Sequence, residues 1–227
     1  MKKRWIVYLV FVLVTMLLIP NAAQATTIHN PPWADNFHYF YADNSYTRDA
    51  ATIAEGKQDN IGYSADARLN HSASSVAYWL QNDAVWSMYA HANRTTMAAY
   101  DGSNNSYLTR DMVLSYNLSG TKVAVFYGCH SAEGPDSDHI TNAAVTSGAG
   151  ASIGFYNYVY ISGGYTSGPA YTWSKYFWQS MAGGNTINTA AAFARDSFYQ
   201  ERGDHGGTDA YSTWGNGSQK ITPAGYN

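Results

Sequence analysis

The stretch Lys122-Val-Ala-Val-Phe-Tyr127 leaves a folding chain few choices. It is apolar, rich in β-branched residues and of strand length, and no polar face interrupts it, so it must be covered on both sides. A strand of that kind belongs in a parallel sheet sandwiched between helices. A second run, Ala84 to Tyr89, reads the same way and leads to His91, just as the first leads to Gly128-Cys129. Beyond Cys129 a polar loop, His130 to Asp138, is followed by a helix around Ile140 to Thr146 and a third buried strand, Ala149 to Phe155. Strand, loop, helix and strand in that order imply a right-handed parallel crossover.

Helical segments fill the intervals. Ser72 to Gln81 has helical spacing and a serine cap, and Leu108-Thr-Arg-Asp111 opens a short helix. Pro169 starts a helix over Ala170 to Met181, Gly183-Gly184 stops it, and Thr186 to Gln200 is a second, alanine-rich one. The alternation predicts an α/β fold, a three-layer domain with a mainly parallel central sheet flanked by helices. Residues 26–60, with Pro31-Pro32 and many aromatics, are expected to form an irregular entry segment with one helix near Thr47 to Gly56.

The first 25 residues predict a signal peptide. Met1-Lys-Lys-Arg4 is a positive start, Trp5 to Ile19 an apolar core ended by Pro20, and Ala23-Gln-Ala25 a small-x-small cleavage site. The apolar core is short for a bilayer span of about 20 residues. The expectation is a secreted, extracytoplasmic chain with no membrane attachment once the leader is removed, and one domain over 26–227. With 45% hydrophobic residues, that length can bury a core of its own. A net charge of -3 and only 13% charged residues give no basic surface for phosphates, which excludes nucleic acid as a partner.

One cysteine in 227 residues cannot form an internal disulfide, and an idle exposed thiol is a liability in an oxidising compartment. Cys129 is therefore either hidden in the core as a small hydrophobe or retained for its chemistry. Sites in open α/β sheets lie beyond the carboxyl ends of the parallel strands, where both His91 and Cys129 fall. Glycine before the cysteine permits a tight turn that aims the thiol at the crevice. An imidazole in reach can take its proton, since the thiolate is the nucleophile, and free N–H groups nearby can hold an oxyanion.

Here the chain resembles a known group. Trp86-Ser-Met-Tyr-Ala-His91-Ala92 and Val123-Ala-Val-Phe-Tyr-Gly128-Cys129 are similar to the two catalytic strands of the caspase, gingipain and clostripain clan of cysteine peptidases. Thr146 to Phe155 resembles that clan's strand after the cysteine helix, Ile187 to Arg195 its late alanine-rich helix, and Trp214 to Ile221 its terminal strand. The resemblance runs from about residue 62 to 222, in order. It implies a Cys-His dyad endopeptidase: Cys129 the nucleophile, His91 general base or acid, the backbones of Ala92 and Cys129 the oxyanion donors, a peptide or protein substrate, and no cofactor or metal. It departs from the clan at Ala92, where glycine is usual and a methyl restricts the backbone or the approach of substrate, and at Asn216, where the clan has Asp.

Other readings compete. Glu133, Asp136 and Asp138 are candidates for a pocket that receives Arg or Lys. Cys129-His130 with Asp136, Asp138 and His139 offers donors for zinc or calcium, but in no recognised spacing. His71, His139 and His205 are further candidate bases, whereas His130, adjacent to Cys129, diverges from it. Finally, 20 Tyr and 7 Trp suit a catalytically inactive, aromatic-rich secreted protein that binds a glycan or protein partner.

Overall fold

A computed structural model describes residues 27–40, 45–134, 138–161 and 168–227. The leader and Asp136 lie outside the described residues. The elements are β1 (Trp33–Tyr39), α1 (Ser45–Asp59), β2 (Ser64–Arg68), α2 (Ala73–Asn82), β3 (Val85–Ala90), β4 (Thr96–Tyr100), β5 (Asn105–Thr109), α3 (Arg110–Ser115), β6 (Val123–Tyr127), α4 (Ile140–Thr146), β7 (Ala151–Phe155), α5 (Pro169–Ala182), α6 (Ile187–Arg202) and β8 (Tyr211–Gly215). Six strands form one sheet in the order β2-β1-β3-β6-β7-β8, parallel except for β8, which runs antiparallel to β7. Helices α1, α5 and α6 cover one face and α2, α3 and α4 the other, each over its own apolar core. The three-layer α/β fold is the one the strand and helix alternation predicts.

The central strands form where expected because they are almost wholly apolar, and their two serines, Ser87 and Ser152, hydrogen-bond their hydroxyls to partners inside the fold. Every residue of β3, β6 and β7 is buried. Their side chains alternate: Val85 and Tyr89, with Val123, Val125 and Tyr127, face α1, α5 and α6, while Trp86, Met88, Ala124 and Phe126 face the other layer. The serine cap read at Ser72 is present, and two threonines cap further helices. Hydroxyl oxygens of Ser72, Thr109 and Thr186 accept the N–H groups of Ser75, Met112 and Thr189, and Gly203, at φ 79°, ends α6.

The expected irregular segment over 26–60 is corrected. Trp33–Tyr39 is a full strand inside the sheet, paired to β2 on one side and β3 on the other. Its polar residues conceal it in the sequence, and long-range partners make their burial affordable. Asn36 donates to Gln58 of α1 at 2.6 Å and accepts from the hydroxyl of Ser87 on β3 at 2.6 Å. Asp35 accepts from Arg68 of β2 at 2.5 Å, and the guanidinium lies over the Trp79 ring at 4.2 Å. The hairpin β4-β5 is also absent from the sequence reading; Asp101 turns it by accepting from the N–H groups of Ser103 and Asn104. No helix among the described residues is long and apolar enough to cross a membrane.

His38, on β1, is 5% exposed, and burial followed by the charge of Arg48 lowers its pKa from 6.5 to about 4, with Asp49 opposing. The unfolded chain therefore binds a proton near pH 6.5 that the folded chain refuses until about pH 4. Stability conferred by neutral His38 is complete above pH 6.5 and falls as the pH drops towards 4, by about 3 kcal/mol at ~1.4 kcal/mol per unit. Denaturant melts at pH 7 and pH 4.5 check this: His38→Gln should flatten the difference between them, and an unchanged difference would remove His38 as a source.

Candidate functional site

The β3-β6 ladder positions the candidate site. Tyr89 stands opposite Tyr127. The ladder ends at that pair, and His91 and Cys129 each follow two residues later, just past the ends of neighbouring strands. Tyr89 and Tyr127 themselves point to the face of α1, α5 and α6. The His91 ring stacks on Phe40, with centroids 4.5 Å apart and planes 23° apart, and half-buried Cys129 packs against the same core. Phe40 follows β1, whose Tyr39 pairs with Ala90, so Phe40, His91 and Cys129 make one row across three strand ends. Burial holds the His91 pKa below its ordinary 6.5, which keeps the ring neutral near pH 7. The thiol of Cys129 donates to the Val159 carbonyl at 3.5 Å.

Gly128 lets the strand ends approach. A Cβ there would lie 2.5 Å from the Ala92 Cβ and 2.6 Å from the Ala90 carbonyl oxygen, closer than real carbon atoms come. The sequence suggests glycine for turning; the structure needs it for contact. The Ala92 methyl packs with the opposite core, the one over α2, α3 and α4, so it points away from the His91 and Cys129 row. Its backbone is not strained either: among the described non-glycine residues, Asn70 and His130 have positive φ, and Ala92 does not. The Ala92–Met97 bridge is flanked by Ala98 N–H to His91 C=O at 2.8 Å and Asn93 N–H to Thr96 C=O at 2.9 Å. In such a pair the Ala92 N–H points away from β4.

Cys129 is followed by a left-handed residue, His130, at φ 58°. For a residue with a Cβ this costs on the order of 1–2 kcal/mol, and neighbouring contacts must hold it. The His130 N–H donates to Asn157 C=O at 3.1 Å, its Nδ1 lies 2.8 Å from Glu133, and the Tyr158 ring meets it edge-on at 4.4 Å. Ser131 then locks the turn: its hydroxyl donates to Phe126 C=O at 2.8 Å and accepts from the Phe155 N–H at 3.0 Å.

The other candidates do not join the row. Glu133 lies 2.8 Å from His130 Nδ1, and Asp138 is paired with Arg94 and lies 3.9 Å from Arg110, so Asp138 is not a bare carboxylate awaiting a basic side chain. Asp136 lies outside the described residues. His139 is fully buried and caps α4, accepting from the Asn142 N–H at 3.0 Å. His71 packs edge-on against Phe37 and His205 stacks on Tyr199. Among the described residues, no group of three or more His, Cys, Asp or Glu side chains is placed to hold a metal. Sequence reasoning missed Phe40, Val159 and Arg94. Arg94 ties the segment after His91 to the loop after Cys129, donating from Nε to Asp138 C=O at 3.0 Å, while its own carbonyl accepts the Ile140 N–H at 2.8 Å. An Arg three residues past the candidate base was the available signal.

No family model matches the chain, and no curated protein matches it. Solved structures do. The Saccharomyces cerevisiae separase in its complex with securin superposes with a TM-score of 0.55 at 14% identity, over 85% of this chain and 12% of that one. Pro-sf-caspase-1 gives a TM-score of 0.51 at 12% identity, over 87% of this chain and 97% of that one. This chain thus spans about an eighth of the separase chain. Both neighbours are caspase-like folds, and the architecture here is caspase-like.

The packing at Gly128 generates a test. Gly128→Ala should cost roughly 2–3 kcal/mol in urea melts, since the new methyl meets backbone as well as side chain. Ala92→Gly in the same chain should recover part of that loss. Wild-type stability of the single variant would refute the close approach.

Proposed function

We propose that the chain is an exported cysteine endopeptidase in which Cys129 and His91 form the catalytic dyad. What supports this reading is one observation: His91 and Cys129 follow the paired strands β3 and β6 by one and two residues and pack against the same apolar core, His91 on Phe40. The caspase-like fold agrees with it but does not carry it, because folds host many activities. In the proposed reaction His91, neutral near pH 7, takes the thiol proton, and Cys129 Sγ bonds to the carbonyl carbon of the scissile peptide. The oxyanion that forms faces the N–H groups of Cys129 and Ala92. His91 passes the proton to the leaving amine as the C–N bond breaks, and water then hydrolyses the thioester and restores the thiol. In the separase structure the bound partner is a protein, securin. For this chain we propose a peptide or protein substrate, met outside the cytoplasm after removal of residues 1–25.

The test is turnover of a panel of reporter peptides by the mature protein. Cys129→Ala should abolish it, and His91→Ala should lower kcat/KM by about 10²-fold or more. Because burial lowers the pKa of His91, the acid limb of kcat/KM should lie below pH 6.5. Equal background turnover in wild type and Cys129→Ala would overturn the proposal.

A further inference from the structure

We infer that residues 156–160 form an aromatic subsite beside Cys129, which selects peptides carrying an aromatic side chain next to the scissile bond; this rests on the cysteine-peptidase reading of that centre. The segment leaves β7 and runs back past the nucleophile. Three links hold it there: His130 N–H to Asn157 C=O at 3.1 Å, Cys129 Sγ to Val159 C=O at 3.5 Å, and the Tyr127 hydroxyl to Tyr160 C=O at 3.0 Å. Its other edge is also fixed. Tyr156 and Tyr160 donate their N–H groups to Ala210 and Gly206, each at 2.9 Å, and Gly207 crosses so close that a Cβ would stand 1.8 Å from the Tyr158 carbonyl oxygen.

Fixed on both edges, the segment turns its tyrosines to solvent while two aliphatic residues anchor it. Val159 and Ile161 are buried, whereas Tyr156, Tyr158 and Tyr160 are 50%, 67% and 55% exposed. Three large rings kept in water within a few residues of a nucleophile are costly for the free protein and useful only when something covers them. A peptide attacked by Cys129 must lie against this segment, because Val159 touches the sulfur itself and Tyr158 packs on the residue after it. Rings on a rigid backbone pair well with an aromatic side chain, at low entropic cost. A basic side chain finds less here. Among the described acidic groups of the loop after Cys129, Asp138 is already paired with Arg94 and Glu133 lies 2.8 Å from His130.

Because Cys129 is the sole thiol, alkylation by peptidyl chloromethyl ketones reads the subsite directly. Acyl-phenylalanyl, acyl-glycyl and acyl-lysyl reagents would be compared by mass spectrometry, each rate divided by that of iodoacetamide to correct for access to the sulfur. We expect the phenylalanyl reagent to react about tenfold faster than the other two, and that preference to fall towards unity in Tyr158→Ala and Tyr160→Ala. A lysyl preference, no preference, or a phenylalanyl preference that survives both substitutions would overturn the subsite. His91→Ala separates the two levels of the argument: loss of reactivity towards every reagent upholds the dyad whatever the selectivity, and unchanged rates overturn the dyad itself.

Discussion

Everything at the candidate site depends on the register between β3 and β6. Side chains on a strand alternate with a period of two, so a slip of one residue would turn His91 to the opposite face from Cys129 and exchange the two cores. The register is held by what the strands bury. Tyr89 and Tyr127 face one helical layer, and Trp86 and Phe126 touch across the other face with ring centroids 5.1 Å apart. Neither pair survives a shift. At the strand ends the ladder gives way to steric fit, with Gly128 accepting the methyl of Ala92 in space that any other residue would occupy.

Below the row, polar groups buried in the core fix how the helices sit on the sheet. The Tyr89 hydroxyl accepts from the Trp178 indole at 2.7 Å and lies 2.8 Å from the Ser174 hydroxyl, which donates to the Ala50 carbonyl at 2.7 Å. One network thus ties β3 to α1 and α5. Each such bond adds only about 1 kcal/mol net, but an unpaired member would cost roughly 1–3 kcal/mol, so the network penalises every other docking of those helices. Phe40, part of the same core, supplies the face on which the His91 ring rests. Burial in that layer is what keeps the ring neutral near pH 7.

What could be read in the sequence follows from where each signal resides. The central strands were legible because their burial is written locally, as unbroken apolar runs, and the helix starts because their caps lie within three residues of the groups they satisfy. Strand β1 was not legible: Asp35 and Asn36 look like surface residues until Arg68, Gln58 and Ser87 are brought to them by the fold, and His38 gives no local sign of its burial. Glu133 and Asp138 suggested a pocket for a basic group for the same reason. Arg94, 44 residues away from Asp138, gives no local sign that it will neutralise it. The doubt raised by Ala92 came from treating the methyl as part of the site, whereas alternation sends it into the other core.

The structural neighbours show how little sequence this architecture requires. At 12–14% identity they retain the sheet, because a parallel strand buried on both faces asks only for apolar bulk in the right order. Loops at the carboxyl ends of the strands are under no such rule. Here the loop after Cys129 is closed by a left-handed histidine and by Arg94, and the segment after β7 is pinned along both edges with its tyrosines outward. The sheet that carries His91 and Cys129 at its strand ends is set by burial alone. The geometry of the loops is set instead by particular side-chain contacts, such as Arg94 with Asp138 and Tyr158 with His130, which no burial pattern dictates.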